Sequence, residues 1–190
     1  MKRLTQEQLD IKVAQHQLWV ASLFSKGECL RLTRYDLSHM TFSNLDLRNS
    51  VFDKCDLSHC SFEDSKLDNA VIQESKISNC VFSRSSLTDC KMRGSDFSQS
   101  VFYKNYLKGA DFSDCILKDA RIEDCDLRCT NFKGVADMDT INLRGSEFGR
   151  AEAAPIANHG FFALRPIYDE AAQNEAIARE NRLATKCAIS

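Results

Sequence analysis

From Leu32 to Phe132 every fifth residue is large and apolar without exception. The series runs Leu32, Leu37, Phe42, Leu47, Phe52, Leu57, Phe62, Leu67, Ile72, Ile77, Phe82, Leu87, Met92, Phe97, Phe102, Leu107, Phe112, Leu117, Ile122, Leu127, Phe132. Large apolar residues are a minority in an ordinary chain, so so long an unbroken run is not chance. A five-residue period fits neither the 3.6 of a helix nor the 2.0 of a strand. Five residues make one short extended side and one corner, and a chain of such units must wind.

Two residues before each apolar centre the side chain is usually small: Ser50, Cys55, Cys60, Ser65, Ala70, Ser75, Cys80, Ser85, Cys90, Ser95, Ser100, Ala110, Cys115, Ala120, Cys125, Thr130. Leu30, Tyr35, Met40, Leu45 and Asn105 break this rule. The other positions are mostly Asp, Ser, Lys, Arg and Asn. Each unit therefore turns one large and one small residue inward, and stacking of coils must satisfy the buried backbone.

Residues stacked in successive coils should resemble one another, which tests the number of sides. At a spacing of twenty, one row reads Phe42, Phe62, Phe82, Phe102, Ile122 and the next Leu47, Leu67, Leu87, Leu107, Leu127. These ladders predict four sides per coil. After Phe132 the centres continue at Met138, Leu143 and Phe148, one residue late, with Ala136, Ser146 and Ala151 in the small position. The slip predicts one extra residue within 134–137.

The recurring small-(Asp/Asn)-(Leu/Phe)-X-X unit, as in Ala110-Asp111-Phe112-Ser113-Asp114, resembles the pentapeptide-repeat family over roughly residues 30–150. The resemblance implies an all-β solenoid, a right-handed quadrilateral β-helix. At about 4.8 Å per coil, about six coils make a rod about 29 Å long.

Both ends of such a stack need a lid. Thr5 with Gln8 reads as a capping box and Gly27 as a stop, framing a helix over about residues 6–26. Its stripe of Leu9, Val13, Val20 and Phe24, interrupted by His16, is expected to dock on the first coil. Beyond Phe148, Phe161, Phe162 and Leu164 are expected to cover the last coil. Residues 168–186 read as a helix with a thin apolar stripe including Ile177 and Leu183, either a solvated appendage or a homodimer interface. The domain reading is thus a capping helix at 1–29, the β-helix at 30–151, and a C-terminal cap and helix at 152–190.

Chemistry is sparse. Lys and Arg total 25 against 27 Asp and Glu, so no global field selects nucleic acid or membrane. No apolar run reaches eighteen residues and no signal segment is legible, so a cytoplasmic, reducing location is expected. Six of the nine cysteines fall at the small inward position and read as packing. Cys29, Cys129 and Cys187 have no assigned role. No Cys-x-x-Cys pair with histidines suggests zinc. His39 and His59 stack at one outer corner; paired imidazoles can hold a metal, but no third ligand has an obvious place, and they read as solvated. His16 and His159 carry no role. Gly145-Ser146-Glu147-Phe148-Gly149 lacks the phosphate-loop pattern. No catalytic residue, metal or cofactor is expected.

What remains is surface. Val51, Val71, Val81, Val101, Ile116, Tyr103 and Tyr106 point outward. Tyr103 and Tyr106, with Phe161, Phe162, Ile177 and Leu183, are the candidate interface residues. The expected function is a non-enzymatic protein-interaction scaffold with an unidentified protein partner. The resemblance adds a second reading, a DNA-mimicking modulator or protector of bacterial type II topoisomerases such as gyrase against toxins or quinolones, and a third is a secreted effector. Mimicry needs an acidic stripe, whereas Arg48, Asp68, Asp89, Lys108 and Arg128 mix signs along one corner.

Overall fold

A computed structural model describes residues 1–149. Strand β1 (Lys2–Arg3) and helix α1 (Gln6–Ala21) precede the coils. Eight short strands follow: β2 (Arg31–Thr33), β3 (Tyr35–Asp36), β4 (Val51–Asp53), β5 (Ser61–Glu63), β6 (Val71–Gln73), β7 (Val81–Ser83), β8 (Val101–Tyr103) and β9 (Arg121–Glu123). All pairing is parallel, with β2-β4-β6 on one face and β5-β7-β8-β9 on another. Bridges such as Asp36↔Asp56 and Asp46↔Lys66 mark the other two faces. Every pairing among the coils joins residues one coil apart, so they form a four-sided parallel β-solenoid of about five turns.

The large centres fill the axis. Phe42, Phe62, Phe82 and Phe102 are fully buried, their rings stacked nearly parallel at 4.8, 4.7 and 4.6 Å. Leu47, Leu67, Leu87, Leu107 and Leu127 fill the neighbouring column without solvent exposure. Asn44, Asn49, Asn69, Asp89 and Gly109, each two residues past a centre, are left-handed. Asn, Asp and Gly suit that third turn position. At many corners the centre's carbonyl accepts the N–H three residues on, as in Ala110 to Leu107 at 2.9 Å.

Elsewhere the small inward residue does more than fill space. The N–H of Ser65 donates to Ser85 Oγ at 3.0 Å, and Ser65 Oγ donates to the Phe42 carbonyl at 2.6 Å. Thiols take the donor role at Cys55, Cys60, Cys80 and Cys115, reaching the carbonyls of Leu32, Leu37, Leu57 and Met92 at 3.3, 3.1, 2.9 and 3.0 Å. The reading of these cysteines as packing alone is therefore incomplete. The early exceptions to the small rule have a cause too. No coil precedes the first one, so Leu30 and Met40 share a core with Leu4, Leu9 and Val13 of the lid, and Tyr35 and Leu45 pack against it.

The lid departs from expectation in several ways. Its capping box is present, with Gln8 N–H donating to Thr5 Oγ1 and Thr5 N–H to Gln8 Oε1, but α1 ends at Ala21. The chain then reverses through left-handed Leu23 and Phe24. Phe24 is consequently 55% exposed, its ring against Trp19, instead of docked on the coil. Gly27 is where the chain crosses back over the helix, since a Cβ there would lie 2.2 Å from the Gln15 carbonyl oxygen. His16 does not interrupt the stripe: it is fully buried, and its Nδ1 accepts the Leu30 N–H at 3.0 Å. Strand β1, which the short Met1–Leu4 stretch did not announce, pairs with β3.

The register slip falls later than the pattern suggests. Ala136 still pairs with Ile116 at a spacing of twenty, while Asn142 pairs with Arg121 and Glu147 with Asp126 at twenty-one. The extra residue is absorbed at left-handed Asp137 and the 3-10 turn Met138–Thr140, which compacts the chain and turns Met138 inward. Ala136 is therefore exposed, and Val135 packs against the core in its place.

Candidate interaction surface

Among the described residues the interior of the rod shows no reactive cleft. Burial pushes the thiols of Cys115 and Cys125 up to about 12 and about 11, and raises those of Cys55, Cys60 and Cys90 as well, hydrogen bonding to Cys80 leading at Cys60. Thiols held protonated are poor nucleophiles and poor metal ligands. Among the described residues no group of three or more His, Cys, Asp or Glu gathers for a metal, and no helix is long and apolar enough to cross a membrane.

The faces are polar, and their charges pair locally. Arg48 binds Asp46 at 2.8 and 2.6 Å, and Arg128 binds Asp126 at 2.8 and 2.7 Å, each across one strand centre. Arg84 reaches across a coil to Asp64 at 2.8 and 2.7 Å. Hydrogen bonding from these guanidinium groups holds the carboxyls of Asp46, Asp64 and Asp126 below their usual range. Lys54 with Glu74, Lys76 with Asp56 and Arg93 with Asp114 add further cross-coil pairs. The carboxylates are ionised but individually countered, so the acidic stripe that mimicry of a duplex requires is not built from them.

Apolar side chains are exposed at several places. On one face Val81 is 38% exposed beside half-buried Val101 and exposed Tyr103, and Tyr106 follows around the Lys104-Asn105 corner at 63%. The Lys104 ammonium lies 4.9 Å from the Tyr103 ring centroid. Strand pairing of Val81 with Val101 and of Ser83 with Tyr103 fixes this patch to the rigid backbone. Ile116 is exposed on a different face, and Val51 and Val71, half-buried, lie on a third. Phe161, Phe162, Ile177 and Leu183 lie outside the described residues, as do the C-terminal helix and any dimer contact through it.

One feature escaped the five-residue pattern. On α1, Ile11 and Leu18 are exposed, seven positions apart and opposite the buried Leu9, Val13, His16 and Val20. A helix apolar on two sides gives no clean amphipathic signal. At the outer corner named above, the rings of His39 and His59 stack 4.7 Å apart and 1° from parallel.

Family models described as pentapeptide repeats match residues 31–69 and 77–128. No curated protein matches the chain. Among solved structures, HetL, a pentapeptide repeat protein involved in heterocyst differentiation regulation from the cyanobacterium Nostoc sp., is 12% identical with a TM-score of 0.37, the match covering 62% of this chain and 63% of HetL. QnrB1, a plasmid-mediated fluoroquinolone resistance protein, is 15% identical over 70% of this chain and 86% of its own, with a TM-score of 0.36. A pentapeptide repeat protein of the Arabidopsis thaliana thylakoid lumen is 16% identical over 70% and 82%, with a TM-score of 0.35. Both family matches fall on the stacked coils whose inward and outward positions are set out above, and the chain belongs to the pentapeptide-repeat family.

Proposed function

We propose that this chain is a non-enzymatic scaffold that seats a protein partner on the Val81, Val101, Tyr103 and Tyr106 patch. The observation that carries this reading is the exposure of Tyr106 beside Tyr103, two aromatic side chains exposed together on the coils. Aromatic side chains held by a rigid backbone lose little entropy on binding and supply large contact area, which is why they dominate binding hot spots. The test is affinity purification from the native host with the wild-type chain and a Tyr103→Ala/Tyr106→Ala variant of unchanged thermal midpoint. A partner held by the wild type and lost by the variant supports the patch; equal recovery by both moves the interface elsewhere.

A topoisomerase-directed DNA mimic takes second place because charges of both signs mix along the corners and several outward carboxylates, Asp46, Asp64 and Asp126 among them, are paired with Arg. A supercoiling assay with purified gyrase decides it: neither protection nor inhibition at micromolar chain removes that reading. A homodimer through residues 152–190 stands as a separate proposal. It predicts a lower sedimentation coefficient, corresponding to a single chain, once residues 168–190 are removed.

A further inference from the structure

Of the nine large apolar side chains exposed among the described residues, five belong to the lid: Met1, Ile11, Leu18, Leu23 and Phe24. At about 100° of rotation per residue, Glu7, Ile11, Ala14 and Leu18 fall within a stripe about 60° wide on α1, and all four are exposed. This stripe lies opposite Leu9, Val13, His16 and Val20, the side that is buried on the first coil. Just past the helix end, left-handed Leu23, 83% exposed, extends the apolar surface. A capping element needs only one apolar side, and its outer side is ordinarily polar for solubility. Here the outer side is apolar along its middle, with Ile11 62% exposed, and charged or polar at its two ends.

We propose that this outer face of α1 pairs with the same face of a second copy of this chain, the two helices antiparallel across a two-fold axis beside Ala14. Such a contact is isologous, so one patch must supply both halves. With the axis between Ala14 and Gln15, Ile11 comes level with the partner's Leu18, and Leu18 with the partner's Ile11. Ala14 is small, and at the axis it lets the two backbones approach closely. The charges complement in the same register. Glu7 comes level with the partner's Ser22, and Lys26 is held beside Ser22, its N–H donating to Ser22 Oγ at 2.8 Å and its carbonyl accepting that hydroxyl at 3.2 Å. Each Glu7 thus meets the partner's Lys26, twice by symmetry. Neither residue forms a salt bridge among the described residues. A parallel pairing would instead set Glu7 against the partner's Glu7, which repels. A foreign partner would have to bring its own matching pattern, whereas this face already carries both halves of one. The contact is one face of a 16-residue helix, about 24 Å long, so the dimer is of the weak, concentration-dependent class. It lies at the first coil, whereas Tyr103 and Tyr106 lie on later coils and residues 152–190 follow the last one, so it stands independently of both proposals above.

The test is sedimentation equilibrium of the full chain from low micromolar to near-millimolar concentration. The mass is expected to rise from one chain to two across that range. Ile11→Glu/Leu18→Glu is expected to raise the dissociation constant at least tenfold; both positions are exposed and Glu is a good helix former, so the fold is kept, which circular dichroism checks. Glu7→Lys and Lys26→Glu are each expected to weaken association, and the two together to restore it, a reciprocal rescue that only the antiparallel register provides. Ile177→Glu/Leu183→Glu, which tests the separate C-terminal dimer, is expected to leave this association unchanged. A chain that stays single at the highest concentration overturns the proposal and leaves the face to a different partner. So does a dimer indifferent to Ile11→Glu/Leu18→Glu, a dimer lost in Ile177→Glu/Leu183→Glu, or a charge swap that fails to rescue.

Discussion

Asn105 Oδ1 accepts the backbone N–H of Ser85 at 2.8 Å, one coil away, while its amide nitrogen donates to the Phe82 carbonyl at 2.9 Å. Asn105 breaks the small-residue rule in sequence, yet it performs at its corner what Ser65, Ser75 and Ser85 perform at theirs, with both ends of one side chain.

Replacing Asn105 with Leu is therefore expected to strand two buried backbone groups, at a cost of about 1–3 kcal/mol for each group left unpaired. Asn105→Ser restores the usual hydroxyl and is expected to cost less. Urea denaturation midpoints, at unchanged m-value, read the difference.

Phe82 sits between two stacked rings and Leu87 lies in the neighbouring column, both without exposure. Truncating either to Ala is expected to cost about 3–5 kcal/mol, because a rod whose neighbours are pinned by coil-to-coil hydrogen bonds cannot collapse into the cavity. Chemical denaturation checks it, and a loss below about 1 kcal/mol at both sites would contradict the core assignment.

His16 gives the fold a pH dependence. Burial depresses its pKa from the ordinary 6.5, because the charged ring would be desolvated beneath the helix, the nearby Asp46 offsetting this only in part. The unfolded chain thus binds a proton that the folded chain refuses. Stability is full above about pH 6.5 and falls as the pH drops below that value towards the folded-state pKa. The midpoint measured from pH 7.5 to 5 should fall in the wild type and fall less in His16→Gln.

The thiols should divide by exposure. Cys129 is exposed, whereas Cys55, Cys60, Cys80, Cys90, Cys115 and Cys125 are buried, with the thiols of Cys55, Cys60, Cys90, Cys115 and Cys125 displaced away from ionisation. Brief N-ethylmaleimide treatment followed by peptide mapping is expected to find Cys129 modified and those six protected until denaturant is added.

The fold was legible because each five-residue step repeats the same local geometry. Leu32 to Phe132 sets which residues face inward, and the Phe42 and Leu47 columns set four sides. The slip after Phe132 was visible as a phase change, but its position was not, because Asp137 to Thr140 absorbs it through a 3-10 turn that carries no period of its own. The candidate surface was legible only in part. Tyr103 and Tyr106 are outward by position, but the exposed Ile11 and Leu18 lie on a helix whose second apolar side hides the pattern.

The order of residues along the chain decided everything that depends on a side chain's place within its own unit: inward or outward, centre or corner, and the left-handed turns that favour Asn, Asp and Gly. Tertiary structure decided whatever depends on the residue one coil above or below. That a cysteine thiol caps the carbonyl of a residue twenty-three positions earlier, that His16 is buried instead of solvated, and that two imidazoles meet face to face at 4.7 Å all follow from stacking. The reason is range: the five-residue unit is fixed by adjacent torsions, whereas its chemistry is completed by contacts that exist only once the chain has gone round and returned.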